Sequence, residues 1–332
     1  MNGKLIWIAV LTAGICVQGQ AQTVAPLQIS GNIKGQEINK VYLERYDNKV
    51  FRTIDSAFVR QGAFKFSTAV PLPELYGIRL EGDEYPLQVF LENKPIVITV
   101  DAEEGRSDYQ VKGSKAQERF DSFRKRQRDL TAKEFIKEDP ASIVSAYVLF
   151  RNYSYSLSPE EIKSHLALLA PSLSTSQYVR ILENLAEKQT AVLPGNKAID
   201  FVSTTPDGKT VKFSDHLGKG YVLLDFWAAW CGPCRRENPN IVAAYQKYKD
   251  KGFSIFGVSL DKKKESWLKA IKDDGLEWAQ VSDLAFWDTE AAALYGVRFI
   301  PSNLLIDPNG VIVARNIKGE ELNAALKAIY EK

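Results

Sequence analysis

Residues 225–234 read Asp225-Phe226-Trp227-Ala228-Ala229-Trp230-Cys231-Gly232-Pro233-Cys234. The apolar run over 221–227, broken only by Asp225, has the length and composition of a buried central strand. A helix is predicted to follow at once, from Pro233 to about Lys249. The first cysteine therefore falls between strand and helix. A sulfur there sits at the electropositive end of the helix, beside backbone N–H groups that no helical carbonyl satisfies. Those groups favour thiolate over thiol, and the thiolate is the nucleophile. Cys234, one helical turn further in, can reach the same sulfur. The pair can then attack a partner disulfide and close into an internal one. Gly232 and Pro233 suit the tight helix entry, Pro233 because it lacks an N–H that would go unpaired there anyway.

Outward from this motif, 253–260 reads as a second buried strand, followed by helix, loop and helix up to Tyr295. Segments 303–306 and 311–314 flank Asp307-Pro308-Asn309-Gly310, a hairpin signal. A helix from about Glu320 closes the chain. Upstream, Thr205-Pro206-Asp207-Gly208-Lys209-Thr210 predicts another hairpin turn. Strand, helix, strand, then hairpin and helix imply a mixed α/β sheet with helices on both faces over 193–332.

Earlier segments read differently. Over 27–112 apolar residues alternate: Phe64 and Phe66 about Lys65, Ile78 and Leu80 about Arg79, then Ile96, Ile98 and Val100. This period of two predicts a small antiparallel β-domain, sandwich-like, with no visible active site. Residues 115–190 read as a helical connector holding two domains apart. Helix starts are expected at Asp139-Pro140 and at Ser158-Pro159-Glu160-Glu161, the second with capping-box spacing. Ile162, Leu166 and Leu169, then Ile181 and Leu185, continue the helical period.

Lys4, the apolar stretch 5–17 and the small residues of Gly19-Gln20-Ala21 lay out a secretory signal peptide over 1–21. The stretch is shorter than the roughly 20 residues that span a bilayer. Cys16 follows Ile15 rather than a small residue, which argues against lipid anchoring. Cleavage leaves Cys231 and Cys234 as the sole cysteines, so this pair either carries chemistry or is one tight staple. Net charge is +2 in 332 residues, and no basic run is interleaved with aromatics. A nucleic-acid footprint is therefore absent. Zinc would need about four ligands, and His165 and His216 lie far from the cysteines in sequence. A thiol peroxidase of related fold would need a hydroxyl three positions before its cysteine, where Ala228 stands. No GxGxxG or P-loop pattern implies a bound nucleotide.

The WCGPC motif with Asp225 six residues before it resembles thioredoxin. Cys234-Arg235-Arg236-Glu237-Asn238-Pro239 and the extended lead-in 198–213 look more like the TlpA/ResA-type periplasmic thiol–disulfide oxidoreductases. The resemblance covers 193–332. It implies a thioredoxin-like fold and a redox-active Cys231–Cys234 disulfide, with no other cofactor. Gly296-Val297-Arg298-Phe299-Ile300-Pro301-Ser302 matches a second family element, which implies a cis bond at Pro301, opposite the cysteines, with the Ile300 backbone free to pair with substrate. It also implies that Glu237 tunes the cysteines. Asp225, where many relatives carry Asn, should be buried with a raised pKa, placed to take the proton of Cys234. Trp230 is assigned to shielding the reactive sulfur and Trp227 to the core. The β-domain loosely resembles an uncharacterised family found ahead of such domains in Gram-negative envelopes.

These readings together predict an exported enzyme of the periplasm or cell envelope. It would reduce or exchange disulfides of envelope proteins, supplied with electrons by an inner-membrane thiol donor. The rival expectation is a scaffold whose β-domain captures a partner while the C-terminal domain docks it. Substrate and oligomeric state are not readable.

Overall fold

The computed structural model describes residues 23–26, 28–103 and 106–331. The expected leader 1–21, with Cys16, lies outside them. The N-terminal part is built of strands β1 (Thr23–Pro26), β2 (Ile29–Lys34), β3 (Lys40–Asp47), β4 (Val50–Phe58), β5 (Ala63–Phe66), β6 (Ala69–Leu72), β7 (Glu74–Leu80), β8 (Leu87–Leu91), β9 (Ile96–Glu103) and β10 (Arg106–Lys112). They form two four-stranded sheets, β10-β9-β2-β5 and β4-β3-β7-β8, with β1 and β6 paired at the side. Ile29 and Ile98 from one sheet meet Val41 and Ile78 from the other in a shared core. Period-two alternation thus reads out as a sandwich: in β5, Phe64 and Phe66 are buried while Ala63 and Lys65 face out. Pairing is antiparallel except between β2 and β9, which run parallel.

Helices α1 (Lys115–Arg126), α2 (Ala132–Glu138), α3 (Ile143–Val148), α4 (Pro159–Leu166) and α5 (Gln177–Ala191) follow, with a π-helical turn, Leu149–Tyr153, continuing α3. The capping box forms at α4: Ser158 accepts from Glu161 N–H and Glu161 accepts from Ser158 N–H. The start expected at Asp139-Pro140 does not occur. Asp139 closes α2, and its carboxylate accepts from Ala141 N–H at 3.2 Å. Ser142 is then the N-cap of α3. The local aspartate turn outcompetes the helix start. The helices also do more than hold domains apart. Phe120 of α1, Tyr147 of α3 and Tyr178 of α5 share a core with Tyr46, Leu75 and Phe90 of the β4-β3-β7-β8 sheet. Tyr147 meets Phe90 edge to face at 5.3 Å and Phe120 at 5.6 Å.

The C-terminal part opens with the predicted hairpin β11 (Val202–Thr204) and β12 (Thr210–Lys212). It continues through β13 (Val222–Trp227), α6 (Gly232–Tyr248), β14 (Ser254–Ser259), α7 (Lys264–Asp274), β15 (Ala279–Val281), α8 (Glu290–Leu294), β16 (Ser302–Ile306), β17 (Ile312–Arg315) and α9 (Glu320–Tyr330). The sheet order is β15-β14-β13-β16-β17, with β13 to β15 parallel and the β16–β17 hairpin antiparallel. This is the thioredoxin-like arrangement expected. Every residue of β13 is buried, as a strand with neighbours on both sides and packed faces must be. The three-residue β15 is too short to show a sequence period and was not anticipated.

The parallel strands β13 and β14 start from a tight crossing of two glycines. A Cβ on Gly220 would stand 1.8 Å from the Gly252 carbonyl oxygen, whereas one on Gly232 meets nothing nearer than 3.5 Å. Gly220→Ala should therefore destabilise the C-terminal part by about 1–3 kcal/mol. Gly232→Ala should cost less than about 0.5 kcal/mol. Urea unfolding of the oxidised protein, followed by tryptophan fluorescence, measures both. Equal midpoints would contradict the close crossing.

Candidate active site

Cys231 is the N-cap of the 17-residue α6, and its Sγ accepts the Cys234 N–H at 3.1 Å. The two cysteines are joined as a disulfide. Cys231 N–H in turn donates to Ala228 O at 3.1 Å, closing the turn between β13 and α6. Asp261, just past β14, fixes this turn from the side: its carboxylate accepts from Ala229 N–H at 2.9 Å and from Ser259 Oγ at 2.7 Å. Arg235 holds the other edge, donating to Ala229 O at 3.3 Å while Asp274 grips its guanidinium. The sulfur thus meets an unsatisfied helix N–H and the positive end of the peptide dipoles.

Asp225 lies on β13, opposite Gly257 of β14 and Asn303 of β16. It is buried, and its Oδ1 has no hydrogen-bond partner among the described residues. Burial pushes its carboxyl up to about 7, and the nearby Glu237 carboxylate adds to the shift. Cys231 and Cys234 belong to one core with Leu224 and Phe226, the neighbours of Asp225 on β13. Glu237 lies beyond the first turn of α6. It is half-buried, and its Oε1 accepts from Asn240 Nδ2 at 2.9 Å and from Gly319 N–H, the N-cap of α9, at 2.8 Å. It therefore ties α9 to α6.

On the opposite side, the Ile300–Pro301 peptide bond is cis. Ile300 O lies 3.7 Å from Cys231 Sγ. Residues 299–301 precede β16 and stand outside the ladder. Gly232 and Pro233 are exposed beside the disulfide. Trp230 is 47% exposed against 4% for Cys231. Its Nε1 donates to Leu260 O at 3.3 Å, and its ring leans on Phe286 at 5.1 Å. Trp227 is core, donating to Gln280 Oε1 at 3.0 Å. Neither histidine is close to this chemistry: half-buried His165 pairs with Glu161 O on its own helix, and His216 rests against Phe256. No group of three metal-ligating side chains occurs among the described residues.

The β-domain, read as having no visible site, reaches the disulfide. Asn48 and Lys49, at φ 38° and 68°, form the tight turn between β3 and β4, as a two-residue hairpin connection requires. Asn48 Nδ2 donates to Trp287 O at 2.9 Å, and Arg52 pairs with Asp288 at 2.9 Å. Lys49, Arg151, Trp287 and Arg298 line a cleft of about 500 Å³ that also holds Cys231. Burial, with Arg298 and Arg151 adjacent, lowers the Lys49 ammonium to about 6. Burial likewise lowers Arg298 to about 10. Of these four residues, only Arg298 falls in a sequence motif, and nothing local joins it to the other three, because each comes from a different segment. The sole local hint was an Asn-Lys pair where two strands turn.

A cysteine pair across a helix tip, facing a cis-proline loop on a mixed sheet, defines a thiol–disulfide oxidoreductase. Comparison with known proteins agrees. Residues 194–315 match the model described as the AhpC/TSA family, and 27–120 match a domain of unknown function, DUF4369. ResA, a thiol–disulfide oxidoreductase of Bacillus thuringiensis subsp. konkukian, is 34% identical over 138 residues, covering 42% of this chain and 77% of ResA. ResA of Geobacillus kaustophilus is 34% identical over 166 residues, 49% of this chain and 92% of the relative. The thioredoxin domain of an oxidoreductase from Bacteroides vulgatus is 36% identical over 42% of this chain and 98% of its own, with a TM-score of 0.39. The chain belongs to the ResA family of thiol–disulfide oxidoreductases.

The raised Asp225 pKa has a stability consequence. Between about 3.9, the unfolded value, and about 7, the folded state holds a proton that the unfolded state releases. Stability therefore falls as pH rises through this window. Relative to Asp225→Asn, the oxidised wild type should lose about 1.4 kcal/mol per pH unit between about pH 4.5 and 6.5. Denaturant titrations across that range test this, and parallel pH profiles for the two proteins would rule it out.

Proposed function

We propose that this protein is an exported dithiol reductase acting on disulfides of envelope proteins, with Cys231 as nucleophile and Cys234 as resolving thiol. The Cys231 thiolate attacks one sulfur of the substrate disulfide. The other substrate sulfur leaves as a thiolate and takes a proton from water. Cys234 then gives its proton to Asp225 and attacks Cys231 Sγ, closing the Cys231–Cys234 disulfide and expelling the second substrate sulfur as a thiolate, which takes a proton from water, while Asp225 returns its own to solvent. Two electrons pass to the substrate. An inner-membrane thiol donor restores the dithiol, and no further cofactor is required. The observation that carries this reading is the Cys234 N–H aimed at Cys231 Sγ from a helix N-terminus, 3.1 Å away, a geometry that stabilises a thiolate.

Asp225 suits the relay because an acid with a pKa near the working pH transfers protons in both directions. Glu237 acts through Asp225, raising its pKa, and through the α9 cap it supports. Ile300 and Pro301, with Trp230, Gly232 and Pro233, frame the substrate chain. Gly-Pro between the cysteines resembles the reducing members of the superfamily. The pattern at 1–21 supports export. Among the described residues no helix is long and apolar enough to cross a membrane.

Cys231→Ser should abolish disulfide reduction. Cys234→Ser should accumulate mixed disulfides with envelope proteins, detectable on non-reducing gels and by mass spectrometry. An absence of adducts would favour a docking scaffold instead. Equilibration with a thiol buffer should give a potential near about −270 mV, and one near about −120 mV would mean an oxidant. Asp225→Asn should slow the resolving step by about a hundredfold at neutral pH while sparing the first attack, as read by stopped-flow.

A further inference from the structure

Three basic side chains from three separate segments line the cleft that holds Cys231: Lys49 at the β3–β4 turn, Arg151 on the π-helical turn and Arg298 beside the cis-proline loop. Lys49 Nζ stands 3.3 Å from the Trp287 ring centroid and donates to Arg298 O. The Arg298 guanidinium lies 4.5 Å from the Phe150 ring centroid, and its Nε is buried with no hydrogen-bond partner. Among the described residues no carboxylate pairs with the three: the charges acting on Lys49 are Arg298 and Arg151, and Asp47 and Asp288 are both engaged by Arg52. Clustering partly buried basic groups is unfavourable unless an opposite charge arrives. Each supporting segment is unusual: Lys49 occupies the left-handed region that favours glycine, and π turns recur at functional sites.

We propose that this cleft binds a carboxylate carried beside the reacting disulfide of the substrate, so that the enzyme selects anionic disulfides. Resting on the reading of Cys231 as nucleophile, it names the substrate class. A cleft of about 500 Å³ is within the range that holds a small molecule or a short stretch of extended chain. Arg298 offers a planar fork matched to a carboxylate, with Lys49 as a point charge beside it. Trp230 and Trp287, both partly exposed in the cleft, would cover the apolar part of the ligand. A bound carboxylate also restores the full charge of Lys49, turning mutual repulsion into attraction.

The test uses the full chain, pre-reduced and freed of reductant, in stopped-flow single turnovers read by tryptophan fluorescence. One arm compares 3,3′-dithiodipropionate with its neutral diamide. The other compares two short peptide disulfides, one with Glu and one with Gln flanking the cysteines. The expected result is at least a tenfold faster reaction with the anionic member at low salt, shrinking at high salt as screening predicts. Equal preference in both arms marks a small-molecule substrate, and preference in the peptide arm alone marks an extended chain. Exposed Arg151 can be changed without risk to the fold: Arg151→Gln should lower the preference several-fold and Lys49→Gln further, while Lys209→Gln, outside the cleft, should not move it. Anionic and neutral disulfides reacting equally in both arms would overturn the proposal, as would a preference untouched by Arg151→Gln and Lys49→Gln. Failure to reduce any disulfide would instead overturn the oxidoreductase reading itself.

Discussion

The hydrogen bond from Cys234 N–H to Cys231 Sγ depends on a helix starting at one fixed point, and much of the C-terminal part serves to fix that point. The β13 strand delivers the chain from the centre of the sheet. Asp261 and Arg235 clamp the turn from opposite edges, and Glu237 fastens α6 to α9. A one-residue slip would move the sulfur off the helix axis and remove the field that makes it acidic. This explains the concentration of buried polar groups around so small a motif: each holds backbone rather than substrate.

Asp225 shows the cost of such a site. A carboxyl in a fully buried strand gains no hydrogen bond for Oδ1, and burial lifts its pKa to about 7. The core loses stability wherever that group ionises, yet in the proposed mechanism the same burial suits it to exchange protons near neutral pH. Stability and proton transfer are set by one environment. Glu237 strengthens both effects from a helix that also carries Cys234.

The N-terminal half changes the character of this centre. A bare thioredoxin-like domain would present the disulfide on an open face. Here the β3–β4 turn and the π-helical turn stand over it, converting the face into a cleft with basic and aromatic walls. Leu284 and Phe286, at φ 56° and 60°, place further residues in the left-handed region along the loop that carries Trp287. Such backbone costs about 1–3 kcal/mol per residue and persists only where surrounding contacts over-determine it. Asn48 and Arg52 supply those contacts from the other half of the molecule.

The amino-acid sequence by itself determined the strand–cysteine–helix unit, the buried Asp225, the hairpins about 205–210 and 307–310, and the two-part division into sandwich and α/β sheet. These are local matters: periodicity, turn chemistry and helix entry are each written within a dozen residues. It misplaced the helix start near Pro140, where an aspartate turn competes over four residues, and it missed β15, which is too short to carry a period. Only the tertiary structure decided that Glu237 caps α9, that the helices share a core with one sheet of the sandwich, and that Lys49, Arg151 and Arg298 meet at Cys231. Lys49, Arg151 and Arg298 are separated from one another by about a hundred positions or more, and nothing in the sequence near any one of them records the others. Their meeting follows from how two folded halves pack, a property of surfaces rather than of segments.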